Sequence, residues 1–341
     1  MNRKKFLKNS TMATAGIVIA KNLFSSSGDP VFGHNGFKYR MDRSWSKLSP
    51  AQYPVNDCHE MVQDSKGRII LLTNDTHNNI LIYDKSGKFI DSWGHDFPGA
   101  HGLTIHRAGG EDFLFITDTE KHEIYKTTID GKILMTIPYP SETGVYKKKE
   151  EFVPTETTIL ENGEFYVADG YGSQYIIHYD ANGKIRHFFG GRGDKTENLD
   201  NAHGITVDKR KGDPDLLITD RTRNCFKRFS MDGKLKEVIS LPGACVCRPV
   251  IHGDHLYAAV LRSPDMNNDK SGFVTILDKD NKVVSNIGGT KPEYINGTLS
   301  LMAQAEKIFE YPHDVCVDDD GNLYVAQWAS GKVYPYKFTR V

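Results

Sequence analysis

The chain has 341 residues, 38% of them hydrophobic, with 31 glycines, 16 tyrosines and 17 phenylalanines. Its formal net charge is −1, which argues against nucleic acid or an anionic membrane surface as a partner. The length suffices for a large core, and the glycine- and aromatic-rich composition suits many short strands joined by turns.

The first thirty residues differ from the rest. Arg3-Lys4-Lys5-Phe6-Leu7-Lys8 precedes an apolar stretch over 11–20, followed by Ser25-Ser26-Ser27. That order of charged, apolar and small residues predicts an export signal over 1–30, too short to span a bilayer. It is similar to a twin-arginine signal, with Lys4 standing where the second arginine would be. The mature protein is therefore expected in the periplasm or outside the cell, with no stable membrane insertion once the signal is removed. Five cysteines, Cys58, Cys225, Cys245, Cys247 and Cys316, cannot all pair internally. Most fall in inner-strand patterns and are expected as small buried apolar residues.

From residue 36 onward the chain reads as one domain of six repeats. Each unit is a short apolar strand, a turn, an apolar strand ending in Asp or Asn, a polar loop, an alternating strand, a second turn and a last strand. The units cover 59–94, 101–137, 155–190, 203–241, about 247–288, and 313 to about 338. Closing turns such as Asp84-Lys85-Ser86-Gly87-Lys88 and Asp180-Ala181-Asn182-Gly183-Lys184 suit hairpins. Four strands per unit, repeated, predict a six-bladed β-propeller. The last unit supplies three strands only, over 313–317, 323–327 and 333–338. Its missing outer strand is expected from 36–45, which would pair the two ends of the chain and close the ring. Long insertions lie at 139–154, with Lys147-Lys148-Lys149 expected as a solvated face, and at 289–312.

His101-Gly102-Leu103, His203-Gly204-Ile205 and His313-Asp314-Val315 open alternate units. In a closed six-membered ring they would face one another at about 120° intervals, and three imidazoles converging on one point form a metal site with an open position. The first strand of a blade starts, and the second ends, on the same rim. Tyr171, Arg221 and Arg262, at second-strand exits, are thus placed over the histidines. His59, Thr155 and Arg248 occupy the equivalent starts of the other units. His59 is a candidate fourth ligand or substrate contact, and Arg248 and Arg262 are candidate substrate contacts. Asp75, Asp118, Asp169 and Asp220 are expected to lock turns and blades.

The repeat resembles NHL repeats. The ordered set His-Gly-Leu, Asp-Gly-Tyr, a second blade-opening His, Asp-Arg and His-Asp resembles the peptidyl-α-hydroxyglycine α-amidating lyase family over most of 59–338. The resemblance implies that His101, His203 and His313 bind zinc, that Tyr171 is the catalytic tyrosine, and that Arg221 is its cationic partner. It implies a structural calcium held by Asp314 and the backbone carbonyl of Leu103. The family has an arginine in its first blade where this chain offers His59, and a cysteine after the tyrosine where this chain has Gly172. The expected activity is a zinc-dependent carbon–nitrogen lyase on an α-hydroxylated, carboxylate-bearing amide, small or peptide-like, yielding an amide and a glyoxylate-type aldehyde. Two other readings stay open: a metal-dependent lactonase or hydrolase on the same ring, and a non-catalytic propeller that binds glycan or peptide.

Overall fold

The computed structural model describes residues 30–341, so the expected export signal lies outside the described residues. Six antiparallel sheets surround an axis. Four-stranded blades one to five are built on inner strands Cys58–Gln63, Ala100–Ala108, Glu156–Ile159, Ile205–Asp208 and Val250–His252. Blade six starts at Pro312–Val317. The inner strands of successive blades pack side by side, and blade six returns to blade one, so the ring is closed.

Closure joins the two ends of the chain. Phe37–Asp42 pairs with the C-terminal strand Tyr336–Arg340, which lies antiparallel to it with Met41 opposite Phe338. The sequence predicts one strand over 36–45; a second, Val31–His34, adds to its outer edge and makes blade six five-stranded. His34 N–H and the Asn35 side chain then bond to Ser285 and Val284 of blade five. Such pairing covers the outer edge of the C-terminal strand, which would otherwise be open to another chain.

The turns form for a local reason. In Asp84-Lys85-Ser86-Gly87-Lys88 the Asp84 carboxylate accepts the N–H groups of Ser86 and Lys88 at 2.8 and 3.1 Å. Asp64, Asp180, Asp278 and Asp318 repeat that device. A side chain that satisfies its own turn fixes the hairpin before distant contacts form. Between blades, buried aliphatic and aromatic side chains from facing sheets fill each wedge, as where Leu71, Leu81 and Tyr83 of blade one meet Tyr324 and Ala326 of blade six.

The two insertions have separate roles. Residues 139–154 form two short 3-10 turns, Ser141–Thr143 and Lys149–Glu151, and the three consecutive lysines are exposed as expected. Residues 289–312 carry a small hairpin, Tyr294–Ile295 and Thr298–Leu299, not anticipated from the sequence. All five cysteines are free and buried.

Candidate active site on the axis

Four histidines meet at one rim. The ring centroids of His101, His203 and His313 lie 4.7–4.9 Å apart, and that of His59 lies 4.9 Å from both His101 and His313. All four are buried. Strand pairing explains how they are aimed. The register slips between Cys58 and Glu60, between Ala100 and Leu103, and between Pro312 and Asp314, so His59, His101 and His313 each sit in a bulge. A bulge near a rim re-aims a side chain that regular pleating would send sideways. His203 precedes its strand and is held by its own N–H on the Asn201 carbonyl.

The glycine after two of the histidines is required by close approach. A Cβ on Gly204 would stand 2.5 Å from Arg248 Cα, and one on Gly102 would stand 2.5 Å from the Thr155 carbonyl oxygen. The neighbouring inner strand could not come as near with any side chain there.

The chemistry of the cluster suits a borderline metal ion. His101 Nδ1 donates to the Thr155 carbonyl at 2.8 Å, and His313 Nδ1 donates to the His59 carbonyl at 3.1 Å. A carbonyl only accepts, so in the neutral form both rings carry a lone pair and no proton on Nε2. Burial lowers the pKa of each of the four rings, His59 to about 3 and the other three well below the usual value, so they stand neutral and ready to ligate. His203 Nε2 and His313 Nε2 are 3.1 Å apart. Two zinc–nitrogen bonds of ordinary length at a tetrahedral angle put their nitrogens about 3.3 Å apart. One ligating nitrogen from each of His59, His101 and His313 also falls within 4.8 Å of the others. The donor set fits zinc, with more imidazoles than a three-ligand site requires.

Tyr171 stands over this cluster. Its outer face is open to solvent, but its hydroxyl donates inward to His101 Nε2 at 3.1 Å. Burial of the hydroxyl raises its pKa, and the Arg221 guanidinium beside it pulls the other way. Arg221 is itself buried, with Nε on the Val246 carbonyl and one terminal nitrogen 3.0 Å from Cys247 Sγ. The tyrosine loop is clamped by Asp169, which accepts Val153 N–H and Ser173 N–H at 2.6 Å and the Tyr146 hydroxyl at 2.9 Å. Burial outweighs these donors and pushes the Asp169 carboxyl up to about 7. Val153 and Tyr146 come from the 139–154 insertion, so that insertion positions the tyrosine. A side chain at Gly172 would place Cβ 2.0 Å from the Asp169 carboxylate, which explains glycine there. A cleft of about 270 Å³ opens on the cluster, lined by His59, Asn74, His101, Glu120, Tyr171 and Trp328.

Two expected substrate contacts are corrected. Arg248 is not on the rim. It is buried one layer deeper and donates to both Asp314 oxygens at 2.8 and 3.1 Å, and to the carbonyls of Leu103 and Met61 at 2.8 and 3.1 Å. Glu60 and Glu156 lie 3.2 and 3.6 Å from the same guanidinium. Arg262 turns to its own loop, pairing with the Met266 carbonyl and Asp269 and lying over the Tyr311 ring. The oxygens expected to hold calcium, Asp314 and the Leu103 carbonyl, are thus engaged by Arg248, and the residues present do not fit that ion beside the guanidinium. Glu60 and Glu156 were missed in the sequence because each is a single acidic residue in an inner strand, with no motif around it that marks a cluster. The turn carboxylates behave as expected, Asp118 capping Glu120 and Lys121 N–H groups and Asp220 pairing with Arg223 and Lys227.

Known proteins share parts of this pattern. Residues 309–327 match the NHL repeat model. Over 276 residues, 74% of this chain and 47% of the relative, the sequence is 24% identical to peptidyl-alpha-hydroxyglycine alpha-amidating lyase 1 of Drosophila melanogaster. Over 160 residues, 45% of this chain and 40% of the relative, it is 32% identical to the probable lyase of that name, pgal-1, of Caenorhabditis elegans. The chain spans about half the length, or less, of these curated relatives. In fold it is similar to a streptogramin B lyase structure, with a TM-score of 0.55, 16% identity, and 89% of this chain and 97% of that one covered.

Proposed function

We propose that the protein is a zinc-dependent lyase that cleaves the carbon–nitrogen bond of an N-acyl-α-hydroxyglycine. The observation that carries this reading is the Tyr171 hydroxyl, set 3.1 Å from His101 Nε2 and beside Arg221, above four converging imidazoles. Similarity to proteins named amidating lyases supports the same class of reaction.

His101, His203 and His313 would hold the ion, with His59 next to them as a further ligand or a wall of the substrate site. Zinc there would supply a Lewis acid that lowers the pKa of an alcohol bound to it. The protein's own residues do the rest. The substrate enters the cleft between His59 and Trp328 with its carboxylate toward Arg221. Tyr171 would act as the phenolate, the form that Arg221 and a bound cation favour against the effect of burial, and take the proton of the substrate hydroxyl. The oxygen's electron pair forms the aldehyde carbonyl as the C–N bond breaks, and that bond's pair passes to the amide nitrogen. Tyr171 returns the proton to the nitrogen. The products are a primary amide and glyoxylate, with no oxidant or water consumed. Collapse of such a hemiaminal is intrinsically easy, so orientation and one proton relay suffice.

The leader-like composition of residues 1–30 supports a site of action outside the cytoplasm. A benzoyl-capped hydroxyglycine tests the proposal: release of benzamide and glyoxylate in equal amounts is expected, reduced about 100-fold or more in Tyr171→Phe, in line with loss of a general base. Zinc-loaded protein that releases no glyoxylate, yet opens a lactone, would replace the lyase by the hydrolase. Neither activity in zinc-loaded protein would leave a binding propeller.

A further inference from the structure

We infer that Arg248 is a built-in cation that takes the place of a divalent ion on the propeller axis. Its guanidinium is surrounded by oxygen from other blades. Blade one supplies Glu60 and the Met61 carbonyl, blade two the Leu103 carbonyl, blade three Glu156, and blade six Asp314. Arg248 itself comes from the segment that leads into blade five. Five of the six blades are therefore tied through one side chain.

Carboxylates and carbonyls converging on an axis are the ligands of a hard cation such as calcium. Here they surround five fixed N–H donors, which match carboxylates in a planar fork. Glu60 and Glu156 face each other within the cage, and burial pushes both carboxyls up, toward a pair that shares a proton beside the guanidinium. A covalently attached cation cannot dissociate, so the ring keeps its axial tie whatever the free calcium concentration. This role does not depend on the lyase reading, since the cage is a layer beneath the histidines.

Thermal melting tests it without any substrate. Melting of the wild-type protein should be unchanged by EGTA and by added calcium. Arg248→Ala vacates the cage and should melt lower, then regain roughly 5 °C or more in millimolar calcium, as binding to the folded state requires. Calorimetry should detect one calcium per chain in that variant and none in the wild type, and magnesium should rescue less because it demands a tighter octahedral shell. Arg248→Lys, which keeps a cation, should show no calcium response. A wild-type protein destabilised by EGTA and restored by calcium would overturn the inference. So would an Arg248→Ala protein that folds and ignores calcium, or one that does not fold even when refolded in calcium.

Discussion

Asp169 controls the tyrosine without touching substrate, and its replacement separates positioning from metal binding. The carboxylate collects three donors, Val153 N–H, Ser173 N–H and the Tyr146 hydroxyl, at 2.6–2.9 Å, from a fully buried position. Asp169→Asn keeps one acceptor oxygen and turns an NH₂ toward donors on the other side. A buried donor left facing a donor costs about 1–3 kcal/mol. At about 2–4 °C per kcal/mol for a domain of this size, melting should fall by roughly 2–12 °C. Asp169→Ala strips both acceptor oxygens, orphans all three donors, and should cost about 3–5 kcal/mol. The loop then releases Tyr171, whose backbone N–H rests on the Val153 carbonyl at 3.3 Å. A displacement of the hydroxyl by about 1 Å should lower kcat on the order of 100-fold. The assay is glyoxylate release at a pH about one unit above the carboxyl's value of about 7, so that the wild-type side chain is ionised. Zinc content should not change, because His101 and His313 stand on strand bulges and His203 just before its strand, all outside this loop. Wild-type kcat in Asp169→Asn, or loss of zinc together with activity, would refute the reasoning.

Other contacts carry their own expected outcomes. Gly204→Ala drives a methyl to 2.5 Å from Arg248 Cα, which overpacks the inner ring by about 1–3 kcal/mol and should lower the melting temperature by roughly 2–12 °C; unchanged melting would mean that the ring yields. Asp208 is pushed up by burial, but Arg210 and Arg228 outweigh that and hold it at about 2. A depressed carboxyl stabilises the fold above its unfolded value of about 3.9 and ceases to as pH falls through its folded value. The urea-melting deficit of Asp208→Asn should therefore be full near neutrality and shrink between about pH 4 and about pH 2. A deficit that stays constant or grows on acidification would contradict the pairing. Removal of zinc by a strong chelator should abolish lyase activity while the far-ultraviolet circular dichroism spectrum is kept, since blade packing is apolar and the axis is tied separately by Arg248; collapse of that spectrum would assign the metal a structural role.

The ring was legible because its signals are local and repeated. Turn aspartates, alternating apolar strands and blade-opening histidines recur along the chain, and a repeat that cannot bury its faces alone must close on its neighbours. His101, His203, His313, Tyr171 and Arg221 lie together for the same reason. What stayed hidden depends on geometry that no short pattern carries. The bulges that aim three histidines are short slips of register, visible only in the pairing. Arg248 occupies a strand start like His59, yet one residue further along the strand shifts a side chain from the rim to the deeper layer. Its partners Glu60 and Glu156 are scattered over two blades and become a cluster only on closure. Val31–His34 lacked a recognisable partner until Phe37–Asp42 was placed against the C-terminal strand.

The proposed chemistry requires the imidazoles to share one ion, and zinc titration of the purified protein tests that most directly. One zinc per chain is predicted, with affinity falling at least about tenfold in each of His101→Ala, His203→Ala and His313→Ala, because every ligand lost opens the coordination shell. Protein that binds no zinc when the ion is supplied in excess, or a triple variant that keeps it, would contradict that requirement.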